Sequence, residues 1–193
     1  MKTAVAIDGP ASSGKSTVAK IVADKLNFEY INTGAMYRAI TLIALENNIK
    51  PQDNALLIKM ADSLEMHFEK GNLIVDGENL NGKLSTVEIG KNVSFYSEVP
   101  EIREILVKIQ RNISLNYNVV MDGRDIGTHV LKNAKYKFFL TADAKERAKR
   151  RYKELKDKKV NVIYDDILSD IIKRDYIDSH RKINPLKKAD DAI

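Results

Sequence analysis

No cysteine and no tryptophan occur among the 193 residues, and no apolar run is long. The missing cysteines exclude a disulfide framework and thiolate metal sites, and they suit a reducing compartment. The longest apolar stretches, such as residues 39–45, fall far short of the roughly 20 residues that a bilayer span needs. The N-terminus leads into a strand pattern without the charged and apolar regions of a signal peptide. The expectation is a soluble, cytoplasmic protein without membrane contact. Aromatic side chains are sparse, 8 Tyr and 5 Phe, which leaves little material for stacking on a row of bases. A net charge of +5 and a pI near 9.2 still ask for anionic partners. The arginines, however, fall in short segments beside loop signals rather than along one stripe. Small phosphorylated ligands fit that arrangement better than a nucleic acid polymer.

What the chain does have begins at residue 4. A short apolar run, Ala4-Val5-Ala6-Ile7, ends at Asp8 and gives way to Gly9-Pro10-Ala11-Ser12-Ser13-Gly14-Lys15-Ser16-Thr17, which fits the spacing G-x-x-x-x-G-K-[ST]. In such a loop the glycines let backbone N–H groups converge on phosphate oxygens, and the helix that follows adds its positive N-terminal end. Lys15 supplies a point charge for the β and γ phosphates, and the Ser16 hydroxyl can ligate magnesium. A chance glycine turn would lack the apolar strand before the loop and the amphipathic helix over residues 15–26 after it.

Further on, residues 28–31 read as a short strand, and Asn32-Thr33-Gly34 opens a helix with Thr33 near its N-cap. Met36, Ile40, Ile43 and Ala44 give that helix one apolar face, while Tyr37 and Arg38 lie in its first turn. The helix dipole disfavours an arginine there, so a local anion explains Arg38, though a solvated surface arginine would read the same way. Residues 54–64 suggest another helix. Residues 66–80 then switch to β-rich segments broken by Gly-Asn and Asp-Gly turns, a hairpin or small meander inserted into an alternation of strands and helices. Helices are expected over 86–95 and, with Pro100 at its first position, over 101–115. The latter places Ile102, Ile105, Leu106, Ile109 and Ile113 on one face, with Arg103 and Gln110 on the polar side.

A second informative loop follows the buried-looking strand at 118–121: Asp122-Gly123-Arg124-Asp125-Ile126-Gly127-Thr128. Open α/β sheets bind ligands at strand ends of this kind, and Asp122, opposite the phosphate loop, can hold magnesium directly or through water. After a strand at 136–140, a strongly basic helix over 141–159 brings Arg147, Arg150 and Arg151 to one side. A last helix over about 164–182 turns Ile167, Leu168, Ile171 and Ile172 inward and carries Arg174, Asp178 and Arg181 along one face.

Ile7-Asp8-Gly9-Pro10, Thr33-Gly34-Ala35-Met36-Tyr37-Arg38, the Asp122 to Thr128 loop, and Arg174-Asp175 with Asp178 and Arg181 make the chain resemble the nucleoside monophosphate kinases, and within them the cytidylate kinase family, from residue 3 to 193. The resemblance implies a three-layer α/β/α fold around a parallel five-stranded core sheet, with a small β-rich nucleotide-binding insert and a helical lid. It implies transfer of the ATP γ-phosphoryl group to CMP or dCMP with magnesium. One domain is expected, with its core at about 1–60 and 100–193, its insert at about 61–99 and its lid at about 145–165, acting as a monomer. The family pattern gives Ser94, Arg103 and Asp125 to cytosine. A carboxylate beside an arginine suits a base that offers an amino donor next to acceptors. Arg38, Arg124 and Arg181 resemble a clamp on the acceptor phosphate, Arg174 and Asp178 a pair near the sugar, and Lys15, Arg147 and Arg151 with Arg124 the groups that neutralise the moving phosphoryl. Thr33 stands where the family commonly has Ser, keeping the hydroxyl. The chain stops at what reads as the entry to a further strand, so the family's final strand and helix are expected to be missing. A kinase for another nucleotide or for shikimate on the same fold, and a basic nucleic-acid-binding module, remain the rival readings.

Overall fold

The first strand, β1 (Ala4–Asp8), is apolar on both sides because both of its faces are covered. The computed structural model, which describes residues 2–193, pairs β1 in parallel with two later strands, β6 (Val119–Gly123) and β7 (Tyr136–Phe139). Strand β2 (Glu29–Asn32) joins the other side of β6. The order β2-β6-β1-β7 is that of a doubly wound α/β sheet, since every connection passes through at least one helix or long crossover. Four strands are formed where the resemblance implied five. Beside β7 the last residue runs on in strand-like pairing, its N–H donating to Lys137 O and its carbonyl accepting from Phe139 N–H.

Alternation along the strands builds two cores. Ala6, Ile31, Val119 and Met121 face one side of the sheet, with Val107 and Ile126. Val5, Ile7, Tyr30 and Val120 face the other, against Ala19 and Ala23 of α1 (Lys15–Leu26). A third cluster joins α2 (Thr33–Glu46), α3 (Asn54–Ser63) and α5 (Pro100–Asn116) to the inserted antiparallel sheet β3 (Met66–Glu69), β4 (Asn72–Val75) and β5 (Glu78–Asn79). Helix α4 (Val87–Ser97) is capped by the Thr86 side chain. The last two helices, α6 (Ala144–Asp157) and α7 (Tyr164–His180), share a core of their own around Ala148, Leu155, Ile167 and Ile171.

Capping chemistry moves several expected boundaries. The cap of α2 is Asn32, whose side chain accepts from Ala35 N–H, so Thr33 lies inside the first turn. Helix α6 starts at Ala144 rather than 141 because Asp143 accepts from Lys145 N–H. Ile172 is 54% exposed rather than inward; Ile167 and Ile171 fill the space against α6. The expected polar side of α5 is buried: Arg103 is 2% and Gln110 1% exposed. This helix is wedged between two cores, with Ile102 and Leu106 in one and Val107 in the other, so its solvated face narrows to the strip carrying Glu104, Lys108 and Arg111.

Candidate active site

Both loops named above leave the same end of adjacent strands, because β1 and β6 run in register with Ile7 beside Asp122 and Asp8 beside Gly123. Between β1 and α1 the chain turns at Gly9, with φ at +150°, where an added Cβ would run into the carbonyl oxygen of Leu140. Only glycine fits that approach. The Lys15 side chain folds back and donates to Pro10 O at 3.0 Å. Burial first, and then the Arg124 charge, hold its ammonium well below the ordinary lysine range.

Asp122 receives a donor on each carboxylate oxygen. Ser16 Oγ donates to Oδ2 at 2.7 Å and Tyr30 O–H to Oδ1 at 2.9 Å, while Thr33 Oγ1 donates to the Asp122 carbonyl at 2.8 Å. Burial, then the Asp122 charge, push the Tyr30 phenol above its ordinary range, so it stays a donor. Asp8, just ahead of the phosphate loop, accepts from the backbone N–H of Ile126 and Gly127, each at 2.8 Å. One carboxylate thereby ties the first loop to the second, whose chain continues as a single π-helical turn (Ile126–Val130).

Burial pushes the Asp8 carboxyl up to about 6. Above that pH the fold carries a buried carboxylate at a cost of about 3 kcal/mol relative to an ordinary aspartate. Protonation on the way from pH 6 to 4 relieves this cost, so the contribution of this group to stability grows as the pH falls. The thermal midpoint of the wild type is therefore expected to rise relative to that of Asp8→Asn on acidification from pH 7 to 4. A pH-independent difference between the two would refute a buried charge at Asp8.

Above the loops lies a cleft of about 1200 Å³, lined by Lys15 and seven arginines: Arg38, Arg103, Arg124, Arg150, Arg151, Arg174 and Arg181. They come from α2, α5, α6, α7, the second loop and the residue after α7. Arg103 Nη2 donates to Asp125 at 2.5 Å and Nη1 to Ser97 O at 3.2 Å, with its guanidinium over the Tyr37 ring. Arg181 Nη2 lies 3.3 Å from the other Asp125 oxygen, an ion pair without hydrogen-bond alignment. Arg124 Nε donates to Asp178 at 2.8 Å, and Arg174 Nε stands 3.9 Å from the same oxygen. Although burial pulls the other way, Arg124 and Arg174 hold Asp178 below the usual carboxylate range. Arg38 donates to Leu84 O and Arg151 to Ser85 O, two successive carbonyls of the insert.

This crowding has a chemical meaning. Burial, then neighbouring arginines, bring Arg38 down to about 10 and Arg174 to about 9. A guanidinium does not surrender its proton in a protein, so the same crowding reads as a positive potential that an anion would relieve. Arg103 Nε, Arg174 Nε and Arg181 Nη2 are buried donors without a hydrogen-bond partner, which in a cationic cleft points to a ligand rich in acceptors.

The cleft gathers most of the expected residues: Ala11, Ser12, Ser13, Gly14, Lys15, Ser16, Thr17, Thr33, Tyr37, Arg38, Arg103, Asp122, Arg124, Asp125, Arg151, Arg174, Asp178 and Arg181 all line it. Gly9, Pro10, Ser94 and Arg147 are not in its lining. Ser94 is buried in α4, and Ser97, one turn on, lines the cleft instead. Arg147 lies 4% exposed behind the phosphate loop, donating to Ala11 O, Ala142 O and the Asp175 carboxylate. Arg150, which had no separate role in the sequence reading, lines the cleft and donates to Ser13 O at 3.1 Å. Asp8 and Tyr30 were not foreseen as parts of the site. Asp8 closes β1 within the Ile7-Asp8-Gly9-Pro10 segment, whereas Tyr30 lies inside β2 and carries no local signal.

A parallel sheet whose first strand feeds a phosphate loop, under a cleft where arginines from four helices converge, defines a phosphate-loop kinase of the nucleotide-kinase type. Comparison with known proteins narrows this class. The chain belongs to the cytidylate kinase family, whose model, described as cytidylate kinase, matches residues 5–193. It is 59% identical over 189 residues to a cytidylate kinase of Clostridium perfringens (strain 13 / Type A), covering 98% of this chain and 87% of that protein. To a cytidylate kinase of Clostridium botulinum (strain Loch Maree / Type A3) it is 57% identical over 193 residues, covering 100% of this chain and 89% of the relative.

Proposed function

We propose that the chain transfers the γ-phosphoryl group of ATP to CMP or dCMP, giving CDP or dCDP. The observation that carries this reading is the buried Arg103–Asp125–Arg181 group, which opens onto the same cleft as Lys15 and the phosphate loop. Asp125 can accept from a cytosine amino group, and Arg103 can donate to its ring acceptors. Uracil would turn a carbonyl toward Asp125, and such a buried mismatch costs on the order of a few kcal/mol.

The acceptor is already an anionic phosphate oxygen, so no general base is required; positioning and charge neutralisation carry the reaction. Arg38, Arg124 and Arg181 hold the acceptor phosphate, Arg174 and Asp178 lie toward the sugar with Thr33 and Tyr37 beneath, and Lys15 with Arg150 and Arg151 faces the transferred group. Arg147 supports the loop from behind through Ala11. Magnesium fits the donors present: the Ser16 hydroxyl and the Asp122 carboxylate are hard oxygens side by side. No group of three or more His, Cys, Asp or Glu forms a metal cage among the described residues, but magnesium held mainly by phosphate and water needs only one or two protein ligands. When bound it supplies charge neutralisation at the phosphate oxygens. The insert at about 61–99 and a lid at about 145–165 close over the substrates, which is supported by the separate core shared by α6 and α7; such closure would exclude water and limit ATP hydrolysis.

A monomer in the cytoplasm acting on free nucleotides is the setting of this reading. No helix among the described residues is long and apolar enough to cross a membrane. A coupled ADP-release assay with ATP-magnesium against CMP, dCMP, UMP, AMP and shikimate tests it. Turnover is expected with CMP and dCMP. Equal rates with UMP would remove the cytosine role, and salt-dependent RNA or DNA binding without turnover would favour a nucleic-acid module.

A further inference from the structure

The Tyr30 hydroxyl is a buried donor that the proposed reaction does not use. Tyr30 lies opposite Val120 in the β2–β6 register, so its side chain stands on the same sheet face as Val120 and Asp122. Tyr30 is 6% exposed, and its O–H reaches along the neighbouring strand to Asp122 Oδ1 at 2.9 Å. The ring is held from two further directions. Lys20 Nζ, one turn after Ser16 on α1, lies 5.8 Å from its centroid. On the insert, Gly71 comes so near that an added Cβ would sit 3.2 Å from Tyr30 Cδ1.

A free carboxylate can rotate and present either oxygen. Here the two oxygens are distinguished: Oδ1 is taken by the phenol from the β2 side, and Oδ2 is left to the Ser16 hydroxyl at 2.7 Å. Ser16 also belongs to the phosphate loop, so Oδ2 is the oxygen that faces the triphosphate. We propose that Tyr30 is a positioning residue for the metal-bearing half of the site: its hydroxyl fixes the Asp122 carboxylate so that Oδ2 and Ser16 Oγ converge on the ATP-bound magnesium. The inference rests on the reading that Asp122 and Ser16 serve that ion. Outer partners that orient a ligating carboxylate commonly change metal affinity tenfold or more when removed. Because the insert packs on the same ring through Gly71, the phenol also gives the insert a physical contact with the magnesium side of the cleft.

The test separates orientation from packing. Tyr30→Phe keeps the ring and removes only the hydroxyl, and Asp122→Asn serves as control for the underlying reading. ATP affinity is measured calorimetrically on the full chain with saturating magnesium chloride and again with excess chelator, so no turnover is needed. The gain in affinity that magnesium confers is expected to fall roughly tenfold in Tyr30→Phe and to vanish in Asp122→Asn; the chelator affinity of Tyr30→Phe is expected within about twofold of wild type, and that of Asp122→Asn to rise because an anion facing the triphosphate is gone. In the double variant, Tyr30→Phe is expected to add nothing to Asp122→Asn. If Asp122→Asn loses the magnesium gain and Tyr30→Phe keeps it in full, the positioning role is overturned and the reading of Asp122 stands. If Asp122→Asn keeps the gain, the reading fails and the inference with it. Equal losses with magnesium and with chelator would make Tyr30 a packing residue only.

Discussion

A Lys15→Ala variant is expected to lose roughly a thousandfold or more in kcat, the scale on which a positioned cation or donor at the transferred phosphoryl group acts. Lys15 is 6% exposed and held by Pro10 O at 3.0 Å, so in the empty cleft its ammonium is already folded under the loop. Phosphate oxygens would replace that one carbonyl with stronger, charged acceptors. The loss falls on catalysis and not on the fold. Burial, followed by the Arg124 charge, lowers the lysine pKa in the folded chain, so the folded state releases this proton more readily than the unfolded one. The charge is therefore a load on the empty fold at and below neutral pH, a load that lifts as pH rises toward the ordinary lysine value. Lys15→Met, which keeps the apolar stem, should match the loss of turnover yet melt no lower than wild type at pH 7. Turnover near that of wild type in either variant would overturn the role of Lys15.

How much of this was legible in the sequence depends on whether the signal is local. The strand–loop–helix around Gly9 to Lys15, the Pro100 helix start and the Gly-Asn and Asp-Gly turns of the insert are set by neighbouring residues, and the formed elements match them to within a few residues. On α5 periodicity located the apolar face correctly but put Arg103 and Gln110 on a polar side: the helix also packs on the second core, both residues are buried, and Arg103 points into the cleft rather than into water. The contacts that make the site are long-range. Asp8 reaches Ile126 and Gly127, Tyr30 reaches Asp122, and Arg147 reaches Ala11 and Asp175. No spacing rule within a helix or strand joins such partners. The choice among Arg147, Arg150 and Arg151 also required the structure. They share one side of α6, and the packing of α6 on α7 decides that the first faces Asp175 while the other two face the cleft.

Removal of Asp125 should show the acceptor half of the site to be both keystone and reader. Asp125 is 4% exposed and stands between Arg103, 2% exposed, and Arg181, 8% exposed. Asp125→Ala leaves two buried guanidiniums without their shared counter-charge, and breaking a buried pair in this way costs about 3–5 kcal/mol. A clear drop in the thermal midpoint of the empty protein is therefore expected. Excess CMP would restore only part of it, because in the proposed binding mode the nucleotide phosphate is held by Arg38, Arg124 and Arg181 and does not replace the counter-charge that Arg103 loses. The kcat/KM ratio for CMP over UMP should fall by roughly a hundredfold, since the group that distinguishes an amino donor from a carbonyl is gone. Asp125→Asn separates the two consequences. Its amide oxygen can still accept from Arg103, and its NH2 can donate to the uracil carbonyl, so preference should move toward UMP beyond the level reached by alanine, with a smaller loss of folding stability. A variant that melts low but still selects CMP over UMP as the wild type does would assign Asp125 to the arginines alone and move cytosine recognition to other groups in the cleft.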